Sequence, residues 1–124
     1  MTDRLLVLCA DDDEDILSLV ALRLERAGFE VVTAADGDQA VEHARARRPA
    51  LAVLDVMMPK RTGYEVLAEL RGDEVLREMK VILLSARVQE GDVEQGMKAG
   101  ADAYLAKPFK AQDLVSKVQE LLEA

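Results

Sequence analysis

Five short apolar runs alternate with five segments whose apolar residues recur at helical spacing, and few folds tolerate that alternation. The runs are "LLVLCA" (5–10), "VVTAA" (31–35), "ALAVLD" (50–55), "VILLS" (81–85) and "AYLA" (103–106). They are aliphatic and β-branched without a polar alternate face, which is the composition of strands buried on both sides of a parallel sheet. Between them Ile16, Val20 and Leu24 keep helical spacing before Gly28, as do Ala40, Val41 and Ala44 before Pro49, and Val66, Leu67 and Leu70 before Gly72. Val93, Gly96 and Met97 repeat the pattern before Gly100, and Leu114, Val115, Val118, Leu121 and Leu122 close the chain. Strand–helix repeats joined by right-handed crossovers predict an α/β fold, a doubly wound parallel sheet, with these stripes as its core.

The 124 residues suffice for one domain, 1–124, with a single core. The net charge of -8 would repel a phosphate backbone over most of the surface, the basic cluster "RARR" (45–48) aside, so direct nucleic-acid binding is not expected. No apolar run approaches the roughly 20 residues that span a bilayer, and "MTDRLL" lacks a leader's charged-then-apolar order, so a cytoplasmic protein without membrane contact is expected. The lone Cys9 sits inside an apolar run and reads as a small buried hydrophobe. The chain ends on "VQELLEA" without a linker, which fits either a single-domain protein or the N-terminal part of a longer one.

In a doubly wound sheet, ligands gather beyond the carboxyl ends of the strands. That rim collects Asp11 and Asp12 after the first run, Asp55 ending the third, Ser85 ending the fourth and Lys107 just after the fifth. Three carboxylates, a hydroxyl and an ammonium from segments far apart in sequence are a candidate site. The carboxylates ask for a hard cation with few protein ligands, which describes Mg2+, with Mn2+ sharing its oxygen chemistry. The acidic stretch "DDDED" (11–15) divides in two. Asp11 and Asp12 face the rim, where like charges raise the energy of the folded chain until a cation arrives. Asp13 stands at an N-cap position, and Glu14 and Asp15 fall in the first helical turn, where the dipole favours negative charge.

Taken together, "ADDDEDI", "LDVMMP" followed by Gly63, "LLSA" and "AYLAKPF" resemble the receiver domain of two-component response regulators over nearly the whole chain. The resemblance implies a flavodoxin-like, chemotaxis-receiver-like sheet of order 2-1-3-4-5 with five helices. It implies that Asp55 is the phosphoacceptor, that Asp12, Asp55 and the backbone carbonyl of Met57 ligate Mg2+, and that Asp11 holds a coordinated water. Lys107, ahead of a cis Pro108, would pair with one phosphoryl oxygen, and Ser85 would donate to another. Tyr104 stands at a position that usually packs, and in receivers often switches, turning inward as Ser85 is drawn to the phosphoryl group. The partners implied are a histidine kinase or phosphotransfer protein, or a small acyl phosphate, upstream, and an effector protein or domain downstream. The function implied is a phosphorylation-dependent switch of a protein-binding surface, assisting its own phosphoryl transfer and autodephosphorylation without being an enzyme. His43, among "VEHARARR", has no second ligand nearby and reads as a solvated helix residue.

Some positions depart from the family pattern. Thr62 precedes Gly63 where Asp is common, and a turn should tolerate it. Ala103 follows "GAD", the fourth helical segment reads "DVEQGMK", and Lys117 replaces a usual Arg, so the dimer of DNA-binding receivers is not implied. A dehalogenase-like phosphatase would need a general acid two residues after its nucleophile, and that position is Met57. A flavodoxin-like cofactor binder would need a glycine- and hydroxyl-rich first loop, and this loop is acidic.

Overall fold

The structure, a computed structural model, describes residues 4–86 and 90–123. The reading of the N-terminus therefore lies partly outside the described residues, at 1–3. The elements follow the expected alternation: β1 (Leu6–Ala10), α1 (Glu14–Arg26), β2 (Glu30–Ala34), α2 (Gly37–Arg47), β3 (Leu51–Asp55), α3 (Gly63–Gly72), β4 (Lys80–Ser85), α4 (Glu90–Lys98), β5 (Ala103–Ala106) and α5 (Ala111–Leu122). Every strand pairing is parallel, and the sheet order is β2-β1-β3-β4-β5. This is the expected 2-1-3-4-5 arrangement with five helices.

Period-two alternation along the central strands divides the core into two layers. Leu8, Ala10, Ala52, Leu54, Val81 and Leu83 face one side, where Ala40, Val41 and Ala44 of α2 and Val66, Leu67 and Leu70 of α3 cover them. Val7, Cys9, Leu51, Val53, Ile82 and Leu84 face the other, against Val20 and Leu24 of α1 and Leu114, Val115 and Val118 of α5. A strand buried on both faces has no position for a polar residue until it ends. Chemistry is thereby confined to the strand ends, and β3 is buried throughout up to Asp55, its last residue.

Local signals set the helix boundaries. Asp13 caps α1 by accepting from the amides of Asp15 (3.0 Å) and Ile16 (3.3 Å), with Glu14 and Asp15 in the first turn, as the sequence leads one to expect. Gly28 and Gly100 take left-handed φ values of 101° and 107°, which only glycine adopts without strain. The second helix stops before Pro49 as expected, with Arg48 taking the left-handed C-cap at φ 47°. Gly72 is the last residue of α3 rather than the residue beyond it. Thr62 does more than tolerate a turn, since it forms a capping box with Glu65, its hydroxyl accepting from the Glu65 amide (3.2 Å) while the Glu65 carboxylate accepts from the Thr62 amide (2.9 Å).

Candidate functional site

The sheet order reverses direction between β1 and β3, and the crevice beyond their ends holds the expected residues. Asp11 follows β1 directly, its amide donating to the Ala34 carbonyl at 3.1 Å, which carries the β1–β2 pairing one residue past the strand. Asp55 closes β3, and the next amide, of Val56, donates to Leu84 on β4 at 2.8 Å, so the chain turns away only after Asp55 is placed. Ser85 closes β4, and its carbonyl accepts from the Lys107 amide at 2.7 Å, which draws the residue after β5 toward the same crevice. The Lys107–Pro108 peptide is cis, as the resemblance implies. Gly63 makes the start of α3 fit against this strand end, because a Cβ there would lie 2.5 Å from the Asp55 carbonyl oxygen.

Asp11, Asp55 and Ser85 are buried, while Asp12 is exposed at the outer edge of the group. Carboxylate oxygens of Asp11, Asp12 and Asp55 lie within 4.8 Å of one another. The Lys107 ammonium enters between the two buried acids, 2.8 Å from Asp11 Oδ2 and 3.3 Å from Asp55 Oδ2. Each acid is also held by backbone: the Asp13 amide donates to Asp11 Oδ1 at 3.0 Å, and the Met57 amide to Asp55 Oδ1 at 3.3 Å. Met57 itself is 69% exposed.

The charges do not balance, and the titration of the buried groups reflects it. The Asp55 carboxyl is pushed up from 3.8 to about 6, first by burial and then by the charge of Asp11, with Lys107 and the Met57 amide pulling the other way. Burial lowers the Lys107 ammonium, but its hydrogen bond to Asp11 and the charges of Asp55 and Asp11 outweigh that, and the net direction is upward. The repulsion expected from Asp11 and Asp12 alike thus falls on Asp55 through Asp11, the neighbour buried with it; Asp12 is open to screening by water. Three carboxylates with one cation offer a hard, anionic, partly solvated oxygen set, and the residues present fit Mg2+. Burial pushes the Cys9 thiol up to about 12, in keeping with its reading as an inert apolar residue.

Tyr104 lies half-buried on β5, registered with Leu83 and packed against the core layer under α2 and α3. His43 is half-buried on α2 rather than fully solvated, and among the described residues the acidic group of Asp11, Asp12 and Asp55 is the cluster able to hold a metal ion. Sequence reasoning passed over three arrangements. The Thr62–Glu65 box was legible in its Thr-x-x-Glu spacing. Arg71 donates to the carbonyls of Gly100, Arg77 and Met79 and to the Asp102 carboxylate, and Tyr64 reaches α4; neither leaves a local signal, because the acceptors are mostly backbone carbonyls outside the helix that carries the donor.

Comparison with known proteins agrees with this geometry. A sequence model described as the response regulator receiver domain matches residues 7–119. The alkaline phosphatase synthesis transcriptional regulatory protein PhoP of Bacillus subtilis is 39% identical over 94% of this chain and 48% of its own length. The chain spans about half the length of the curated relatives it matches. Among solved structures, the chemotaxis protein CheY4 of Vibrio cholerae is 32% identical with a TM-score of 0.90, covering 97% of this chain and 100% of that one. The receiver domain of a sensor histidine kinase from Pseudomonas aeruginosa, solved with a magnesium ion coordinated in its active-site cleft, is 31% identical with a TM-score of 0.89, covering 98% and 100%. Its sheet order, its acid-lined crevice at the strand ends and a match over most of its length together mean that the chain belongs to the response regulator receiver domains of two-component systems.

Proposed function

We propose that this domain, residues 1–124, accepts a phosphoryl group on Asp55 from a histidine kinase, a phosphotransfer protein or a small acyl phosphate, and changes a protein-binding surface in response. The observation that carries the reading is the placement of Asp55: buried at the end of β3, within 3.3 Å of an ammonium and beside two further acids. In the transfer, an oxygen of the Asp55 carboxylate forms a new bond to phosphorus as the donor's P–N bond, or P–O bond of an acyl phosphate, breaks and the leaving group keeps the electron pair.

Asp12, Asp55 and the backbone carbonyl of Met57 would hold Mg2+, with Asp11 reaching it through a water. When bound, the ion neutralises charge between the acids and the incoming phosphoryl oxygens. Lys107 already stands between Asp11 and Asp55, so a modest turn of its side chain moves it from an Asp55 oxygen to a phosphoryl oxygen, and the Ser85 hydroxyl donates to another. Ser85 and Tyr104 form the switch, the ring turning toward space that Ser85 vacates. The domain assists its own phosphorylation and autodephosphorylation but turns over no other substrate, and so is a regulator rather than an enzyme. Its output is contact with an effector protein or domain in the cytoplasm, without direct nucleic-acid or membrane binding. Among the described residues no helix is long and apolar enough to cross a membrane.

The test is intact-protein mass spectrometry after incubation with acetyl phosphate, with Mg2+ or with a chelator. One labile phosphoryl adduct that forms only with the metal is expected. An adduct of equal extent in chelator, or none in either condition, would contradict the proposal.

A further inference from the structure

The segment that carries Met57 is a hoop, residues 57–62, between β3 and α3. Its base is closed where the Gly63 amide donates to the Val56 carbonyl at 2.9 Å, and the Val56 amide ties that base to Leu84 on β4 at 2.8 Å. Its tip bends back on itself, the Arg61 amide donating to the Pro59 carbonyl at 2.8 Å. Lys60, between them, takes a left-handed φ of 71°, which a lysine holds only where its surroundings impose it.

Those surroundings are the first turn of α2. The Gly37 amide donates to the same Pro59 carbonyl at 3.2 Å. A Cβ on Gly37 would overlap the carbonyl oxygen and the Cβ of Arg61, and would lie 2.8 Å from the Arg61 carbonyl carbon. The φ of Gly37 is outside the left-handed region, so this glycine supplies room and not conformation. The Arg61 guanidinium crosses to Asp38 at 3.0 Å and to Glu69 of α3 at 3.3 Å. Of the two sides in contact the helix is the stiffer. Asp36 accepts from the Gln39 amide at 2.8 Å, the Gln39 side chain accepts from the Ala35 amide at 3.0 Å, and Ala40, Val41 and Ala44 are fixed in the core. Pro59 and Lys60 are exposed. A side chain filling the gap at Gly37 therefore moves the hoop rather than the helix, and Met57 stands two residues before the Pro59 that meets α2.

We infer that Gly37 is a positioning residue for the metal: by letting the hoop seat against α2 it aims the Met57 carbonyl, and so favours Mg2+ over the larger Ca2+. Mg2+ demands nearly ideal octahedral geometry at about 2.0–2.1 Å, whereas Ca2+ accepts irregular shells at about 2.3–2.6 Å, so a carbonyl turned off its line costs the smaller ion more. This rests on the reading of the Met57 carbonyl as a ligand given above, and adds to it the contact that sets the direction of that carbonyl.

Isothermal titration calorimetry of the unphosphorylated protein with MgCl2 and with CaCl2 tests the seat without any phosphoryl transfer. Gly37→Ala should weaken Mg2+ binding about tenfold, the scale of losing a support behind a metal ligand, and Ca2+ binding by less than about threefold. Gly28→Ala is the control for a merely structural loss: at φ 101° with nothing within 4 Å of the added Cβ, it should lower the melting temperature and leave both affinities unchanged. Arg61→Ala keeps the hoop backbone and removes its ties to Asp38 and Glu69, and should lower the ratio of Mg2+ to Ca2+ affinity by about threefold. Loss of its positive charge acts on both divalent ions alike and does not change that ratio. A ratio equal to that of wild type in Gly37→Ala, or in Arg61→Ala where Gly37→Ala does not fold, would overturn the inference, as would an equal change in Gly28→Ala. Wild type that binds neither ion would remove the metal reading itself and the inference with it.

Discussion

The Lys107 ammonium stands 2.8 Å from an oxygen of Asp11 and 3.3 Å from one of Asp55, so a single cation serves two buried acids that come from opposite sides of the switch in strand order. With its side chain 18% exposed, Lys107 is largely withdrawn from water, and its charge is strongly felt. Lys107→Ala should therefore destabilise the metal-free protein by about 2–3 kcal/mol at neutral pH, because it leaves two carboxylates facing each other without a counter-charge. Millimolar Mg2+ should restore most of that loss. Urea unfolding of both proteins with and without Mg2+ checks this, and a variant as stable as wild type without metal would show that the ammonium is not the counter-ion.

The burial of Asp55, and then the charge of Asp11 beside it, also gives a pH dependence. The Asp55 carboxyl is pushed up from 3.8 to about 6, so between those values the folded protein keeps a proton that the unfolded chain has released. Stability falls wherever the folded state binds more protons than the unfolded one and pH rises. Wild type should thus lose stability relative to Asp55→Asn as pH climbs from about 4 to above 6, reaching a difference of about 3 kcal/mol in favour of the variant at pH 7.5 without metal. Denaturation midpoints of the pair across that range give the answer; a difference that does not change with pH would mean Asp55 is not burdened by its surroundings.

Neighbouring acids in one stretch should behave oppositely. Asp13→Ala removes an N-cap whose oxygen accepts two amide hydrogens of α1, and should cost about 1 kcal/mol with or without Mg2+. Asp12→Ala, at an exposed position, should change metal-free stability by less than about 0.5 kcal/mol yet abolish most of the rise in melting temperature that Mg2+ gives wild type. Thermal melts settle both. An Asp12 variant that responds to Mg2+ as wild type does would remove Asp12 from the metal site.

How much of this was legible in the sequence follows from which interactions are local. Strands such as 51–55, buried on both faces, show as uninterrupted apolar runs, and the residues ending them had nowhere to point but the crevice. Asp11, Asp55, Ser85 and Lys107 were therefore readable before any coordinates, as was the cap at Asp13. The unequal burial of Asp11 and Asp12 was not, because burial is set by tertiary packing and not by adjacency in the chain. Arg71 and Tyr64 escaped for a related reason: an arginine and a tyrosine on an amphipathic helix look like surface residues until the carbonyls they reach are brought beside them.

The central claim is that Asp55 is the residue that takes the phosphoryl group, and peptide mapping answers it most directly. Wild type and Asp55→Asn would be treated with acetyl phosphate and Mg2+, trapped with borohydride, which reduces an aspartyl phosphate to homoserine, and digested for mass spectrometry. The expected result is homoserine at position 55 of wild type and no adduct on the variant, which keeps the shape of the side chain and loses the nucleophile. Trapping at Asp11 or Asp12 in wild type, or an undiminished adduct on Asp55→Asn, would contradict it.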